Sequence, residues 1–315
     1  MIRNDGPVVR RPVEAIHYRV SHRTTYRYAQ PMTDGYTLAY LLPRPTALQV
    51  VERAEVEVSP EPDERAEHID VFGNRMLQIG VHRAHTRLEL HATSDVVVEP
   101  GVVTARGEPW EIVAMRIGEL RGGDALAVRP FAGSSPYVPL GDHFAALRGL
   151  AEQAFGPHRP VVDGARDLCH LIHETFEYDP AFTEVSTPLS VVLDGRRGVC
   201  QDFAHLATAC LRSLGLAARY VSGYIETDPP PGHERVIGAD ASHAWCSVWV
   251  PQQGWIDFDP TNDRLPTHRH VTVAWGRDYG DVTPVRGVVI GPAVEQALSV
   301  EVDVQRLPAD APTIT

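Results

Sequence analysis

Gly195-Arg196-Arg197-Gly198-Val199-Cys200-Gln201-Asp202-Phe203-Ala204-His205-Leu206-Ala207-Thr208-Ala209-Cys210-Leu211-Arg212-Ser213-Leu214-Gly215 reads as a loop that feeds an amphipathic helix. Phe203, Leu206, Ala207, Cys210, Leu211 and Leu214 recur at the three- and four-residue steps of one helical face, and Gly215 supplies a stop. One turn back along that face lies Cys200. A thiol at a helix N-terminus meets free backbone N–H groups and the positive dipole end, which favour the thiolate, and Arg196 and Arg197 add positive charge just upstream. A lone cysteine is more often a small buried hydrophobe. Its partners elsewhere in the chain decide whether this one is a nucleophile.

Working downstream, Ala241-Ser242-His243-Ala244-Trp245-Cys246-Ser247-Val248-Trp249-Val250, a Pro251–Gly254 turn and Trp255-Ile256-Asp257-Phe258-Asp259-Pro260-Thr261 form a hairpin pattern. Ala244, Cys246, Val248 and Val250 share one face; His243, Trp245, Ser247 and Trp249 share the other. On the second strand Ile256 and Phe258 alternate with Trp255, Asp257 and Asp259. If the turn sets odd-numbered residues opposite odd-numbered ones, a histidine and a carboxylate fall on one surface. Both Asp257 and Asp259 satisfy that parity.

Four blocks then resemble, in order, the motifs of the bacterial transglutaminase-like proteins: Gly198-Val-Cys-Gln-Asp-Phe-Ala-His-Leu206, Ala218-Arg-Tyr-Val-Ser-Gly-Tyr224, Ser242-His-Ala-Trp245 and Phe258-Asp-Pro-Thr-Asn262. Gly276-Arg-Asp-Tyr-Gly-Asp-Val282 is a further similar block. In the N-terminal part, His22-x-Thr24-x-Tyr26-x-Tyr28, Leu42-Pro-Arg-Pro45 and Asp70-x-Phe72-Gly-Asn74 look like the domain that accompanies this family. The resemblance implies an α+β fold: an N-terminal antiparallel β-sandwich, then a papain-like core whose cysteine-bearing helix packs on an antiparallel sheet carrying histidine and aspartate. It implies a catalytic set of Cys200, His243 and Asp259, since the family's acid precedes Pro-Thr. The chemistry implied is thiol acyl transfer on protein or peptide amides, with a cysteine peptidase or amidase, and an idle peptide-binding module, as the alternatives. Eukaryotic relatives use calcium, but no Asp-x-Asp-x-Asp-Gly loop occurs here, so neither cofactor nor metal is expected.

From the residues again, the expected domains are 13–105 (β), 106–141 (a Gly- and Pro-rich linker with a short helix at best) and 142–307 (catalytic). Within a strand-like segment from about Val13 to Pro100, strand runs are expected at His17–Tyr28, Leu48–Ser59, Ile69–Val71, Met76–His82, Thr86–His91 and Val96–Glu99. Helices are expected at His143–Ala154 and Asp163–Phe176, and further strands at Ala218–Tyr224, His270–Trp275, Val285–Ile290 and Leu298–Arg306. His170 and His173 flank one helical stripe and read as a solvated face; His205 reads as structural, Cys210 and Cys246 as core. Residues 226–240, acidic and interrupted by three prolines, read either as a lid over the acyl site or as a surface excursion. The Cys200 backbone N–H is the natural oxyanion donor, with the Tyr178 hydroxyl as candidate second donor.

The 29 basic and 41 acidic side chains leave a formal charge of −12, which repels nucleic acid and anionic membranes. No run approaches the ~18 apolar residues of a membrane span. With no export signal visible and four cysteines (169, 200, 210 and 246) lacking disulfide or zinc spacing, a reducing cytoplasm is the expected home.

Overall fold

The computed structural model describes residues 15–101, 106–227, 242–266, 269–292 and 296–308. Six strands come first: β1 (Ile16–Met32), β2 (Asp34–Ala39), β3 (Gln49–Ser59), β4 (Glu64–Ile69), β5 (Arg75–Val81) and β6 (His85–Val98). Helices α1 (Trp110–Glu119), α2 (Gly122–Val128), α3 (Phe144–Ala154) and α4 (Val161–Thr175) follow. Then come β7 (Glu177–Tyr178), α5 (Leu189–Gly195), β8 (Arg197–Gly198), α6 (Cys200–Ser213), β9 (Ala218–Ile225), β10 (Ser242–Val250), β11 (Gly254–Phe258), β12 (His270–Gly276), β13 (Val285–Ile290) and β14 (Gln296–Arg306).

Two four-stranded antiparallel sheets, ordered β14-β1-β6-β3 and β13-β2-β5-β4, form the N-terminal half. Tyr28, Met32, Leu41, Leu77, Ile79, Leu88 and Leu90 fill the core between them. A third antiparallel sheet, β11-β10-β9-β12, carries α6. Phe203, Leu206, Ala207 and Cys210 of α6 share a core with Cys246, Val248 and Val250 of β10, so the apolar faces read from the sequence meet. The architecture is the α+β one expected, a β-sandwich joined to a core in which the cysteine-bearing helix packs on an antiparallel sheet.

Three expectations change. First, residues 106–141 are not a linker: α1 and α2 lie within them, and Val113, Ile117, Val128, Phe131 and Val138 belong to the same core as α6. The glycines there punctuate short helices rather than loosen the chain. Second, α6 is buried all round, not along one stripe. Its charged Arg212 is buried, and it donates to the carbonyls of Ala218, Gly133 and Arg277 and to Ser135 Oγ. Segment 133–135 thus covers what looked like the solvent face. Third, β13 and β14, expected inside a 142–307 catalytic unit, return to the N-terminal sheets and pair with β2 and β1.

The N-terminal half also closes the third sheet. Strand β12 is its edge, and an edge strand presents unpaired N–H and C=O groups. Two amide side chains satisfy them. Gln49 accepts from Thr272 N at 2.8 Å and donates to Thr272 O at 2.7 Å. Asn74 accepts from Trp275 N at 3.0 Å and donates to Trp275 O at 2.8 Å. Each amide offers one acceptor and one donor side by side, as a neighbouring strand would. Arg44 lies over the Trp275 ring at 3.2 Å and donates to Phe72 O and Asn74 Oδ1, which holds the Asp70–Asn74 turn against β12. The Pro-Arg-Pro and Phe-Gly-Asn motifs of the first domain are therefore docking parts for the second.

Candidate active site

Cys200 opens α6 and is half-buried. Its turn is fixed by Asp202, whose Oδ2 accepts from Val199 N at 2.8 Å and from Thr183 Oγ1 at 2.6 Å. The same carboxylate therefore ties the helix start to the 179–188 loop. Gln201 reinforces this, donating to Val185 O at 3.1 Å. The parallel pairing of β7 with β8 brings Tyr178 alongside, and its hydroxyl pKa is raised by burial and then by the charges of Cys200 and Asp202.

His243 begins β10 and is 7% exposed. The hairpin register is the one required: Ser247 faces Asp257 and Trp249 faces Trp255, odd opposite odd. His243 Nε2 donates to Asp259 Oδ2 at 2.8 Å, and the Cys200 side chain is the other group that acts on the ring. With Nε2 on the carboxylate, Nδ1 is left for the sulfur. Burial opposes the charged ring, but the hydrogen bonds to Asp259 and Cys200 outweigh it and lift the His243 pKa to about 10.

Asp259 is fully buried. Burial alone would neutralise it, yet hydrogen bonds from His243 and His270, and then the charge on the rings, hold its carboxyl well below the usual range. Its Oδ1 accepts from Thr261 N at 3.0 Å and Asn262 N at 3.2 Å. Its Oδ2 takes Asn262 Nδ2 at 2.8 Å and His270 Nε2 at 3.0 Å besides His243. Asp257, the other candidate, is engaged by Trp245 Nε1 at 3.0 Å. Trp245 is wholly buried, its ring 5.2 Å from that of His270 and 6.0 Å from that of His243. It is thus a packing element beside the site. Gly223 makes room for it: a Cβ there would sit 2.1 Å from Val271 O and 2.6 Å from the Trp245 ring.

Other sequence candidates lie outside this cluster. His205 is buried, accepts from Tyr279 N at 3.1 Å and packs 4.8 Å from the Tyr220 ring; burial drops its pKa to about 3. His170 and His173 bind Asp263 Oδ2 (2.8 Å) and Thr261 O (2.9 Å), so this face of α4 braces the turn after Asp259. Cys210 and Cys246 are buried. Of the possible lid at 226–240, all but Glu226 and Thr227 lies outside the described residues. Glu226 accepts from Tyr18 and Arg306, anchoring the end of β9 to β1 and β14.

Sequence reasoning missed His270. It opens a strand at a position where neither alternation nor the quoted motifs singled it out, and only the pairing of β12 with β9 brings it to Asp259. Among the described residues, His243, Asp259 and His270 form a set that could hold a metal ion, with ligand atoms within 4.8 Å of one another. Both Nε2 atoms lie at hydrogen-bond distance from one carboxylate oxygen, so proton sharing accounts for the arrangement.

Comparison with known proteins follows the same division. Residues 18–97 match the bacterial transglutaminase-like N-terminal region and residues 148–260 match the transglutaminase-like superfamily. An uncharacterised protein of Mycobacterium tuberculosis is 42% identical over 95% of this chain and 96% of its own length. The protein-glutamine gamma-glutamyltransferase of Pseudomonas aeruginosa is 32% identical over 38% of this chain, which is 18% of the transferase. Among solved structures, a candidate cysteine protease from Cytophaga hutchinsonii superposes with a TM-score of 0.74 at 23% identity, covering 94% of this chain and 92% of that one.

The expected cytoplasmic location is not upheld, because the cysteine usage behind it does not discriminate between compartments. A further, weaker match is the periplasmic domain of TgpA from P. aeruginosa (TM-score 0.33, 17% identity, 80% of this chain and 91% of that one). Three of the four cysteines are buried, and buried thiols are inert, so cysteine usage does not fix the compartment. No helix among the described residues is long and apolar enough to cross a membrane. With both of its regions matched in family order, and a relative similar along almost its whole length, this chain belongs to the bacterial transglutaminase-like proteins.

Proposed function

We propose that the protein catalyses thiol-dependent acyl transfer on glutamine-type amides of proteins or peptides, through an S-acyl enzyme. The family comprises cysteine-dependent enzymes. The observation that carries the reading is the buried His243–Asp259 pair at 2.8 Å, with the Cys200 side chain acting on the same ring from its half-buried place at a helix start.

In this reading His243 Nδ1 takes the thiol proton and the sulfur attacks the amide carbonyl carbon. The carbonyl oxygen becomes an oxyanion, received by the first N–H of α6, which has no acceptor within the helix, and by the Tyr178 hydroxyl. Collapse breaks the C–N bond; His243 returns its proton to the departing ammonia, leaving the thioester. A primary amine, deprotonated by His243, then attacks the thioester, forms the new amide and releases the thiol. Asp259 keeps the ring oriented and its cationic form stable throughout.

Incubation of the protein with casein and a labelled primary amine tests this. Label in casein that is absent with Cys200→Ala supports transfer. Ammonia or peptide release without label, again dependent on Cys200, replaces transfer by hydrolysis of the same bond. A folded protein with neither activity, whose Cys200 reacts with iodoacetamide no faster than a small free thiol, overturns the enzymatic reading.

A further inference from the structure

Among the described residues the Asp259 carboxylate receives five hydrogen bonds, and their origins differ. Three come from its own turn: Thr261 N, Asn262 N and Asn262 Nδ2. They fix the carboxylate within residues 259–262 but not against the sheet. The other two come from His243 on β10 and His270 on β12, both to Oδ2. Because an ionised carboxylate only accepts, His270 presents Nε2–H to it.

Since His243 is the group to be oriented, His270 is the one remaining donor from another element among the described residues. Its strand is held firmly: β12 pairs with central β9 on one side, and Gln49 and Asn74 grip its other edge. The rings of Trp245 and His243 pack against His270, at 5.2 Å and 5.9 Å. Among the described residues, the charged and titratable groups facing the pair of histidines include Asp259, Asp257 and Cys200. Burial takes the His270 pKa below its ordinary value, against the raising effect of its hydrogen bond to Asp259.

We infer that His270 is a positioning residue: it locks the Asp259 carboxylate to the catalytic sheet so that Oδ2 faces His243. This rests on the Cys200–His243–Asp259 reading above. Removal of the lock lets the 259–263 turn shift, and His243 loses part of the support for its cationic form.

The test is NMR titration of the His243 ring, with iodoacetamide alkylation of Cys200 at pH 7 and thermal melts alongside. The expected wild-type midpoint is raised, to about 10; a His243 midpoint near 6.5 in wild type would sink the underlying triad reading instead. In His270→Phe the His243 midpoint falls by about one unit and alkylation slows about tenfold. His270→Gln, which keeps an N–H donor, stays close to wild type. A folded His270→Phe protein with an unmoved midpoint reduces His270 to packing; a raised midpoint makes it a competitor for Oδ2; either overturns the inference. Should His270→Phe not fold, His270→Asn, too short to reach Oδ2, is read by the same criteria.

Discussion

Cys200 owes its position to one local device, the start of α6, braced by Asp202 and Gln201 within a short span of chain. Asp259 is placed differently: its own turn, β10 and β12 all donate to it, while α4 braces the turn from behind through His173 and Thr261. The first end of the site can be built by a helix and a loop. The second requires the whole sheet, and through Gln49 and Asn74 it requires the other domain too. Nucleophile placement is thus a local property, and charge placement a global one.

The largest expected effects fall at the thiol end. Cys200→Ala should abolish amine incorporation, and His243→Ala should lower it by about 10⁴-fold or more, because groups acting as one unit fail together. At the carboxylate end, Asp259→Asn should cost about 10²–10⁴-fold, by analogy of role with the acid of other triads. Asp257→Asn, which keeps an acceptor for Trp245, should cost less than about tenfold. Equal losses at the two aspartates would erase the distinction drawn between them.

Removal of the docking amides gives a smaller, indirect effect. Asn74→Ala or Gln49→Ala leaves a backbone N–H and C=O of β12 unpaired and should destabilise the fold by about 1–3 kcal/mol in denaturant titration, with alkylation of Cys200 at pH 7 slowed less than in His270→Phe. Full retention of stability would mean that β12 does not depend on the first domain.

The pH dependence of stability sharpens the contrast further. Asp259, depressed from 3.8, contributes stability present above that value and lost as pH falls through its folded pKa. His243, raised from 6.5 to about 10, contributes stability in full below 6.5 and loses it as pH rises through 10. The difference in melting temperature between wild type and Asp259→Asn should therefore be widest around pH 5–6 and shrink toward both extremes. A flat difference would uncouple the two groups. Smallest of all, treatment with a metal chelator should leave amine incorporation unchanged, since the donors of His243, Asp259 and His270 already serve one another.

What the sequence disclosed follows the same line between local and global. The α6 periodicity and the hairpin were readable because each depends on neighbours in the chain, whereas the hairpin register stayed a condition that the pairing of β10 with β11 meets. Strand β4 was misplaced because all six of its residues are exposed, so it carries no apolar alternation to read. The return of β13 and β14 to the first domain, and the approach of His270 to Asp259, depend on strand pairings between distant segments, which no window of sequence contains. The burial of Arg212 was hidden for a related reason: its polar ligands are mostly main-chain carbonyls.

The two amides on β12 bear on how this protein could be dissected. A fragment cut between the family's two regions would carry a sheet whose outer strand has lost its only capping groups among the described residues, and such a rim recruits any extended chain in reach. Severed halves would then aggregate, or reassemble with each other as a noncovalent pair, before either performed chemistry alone.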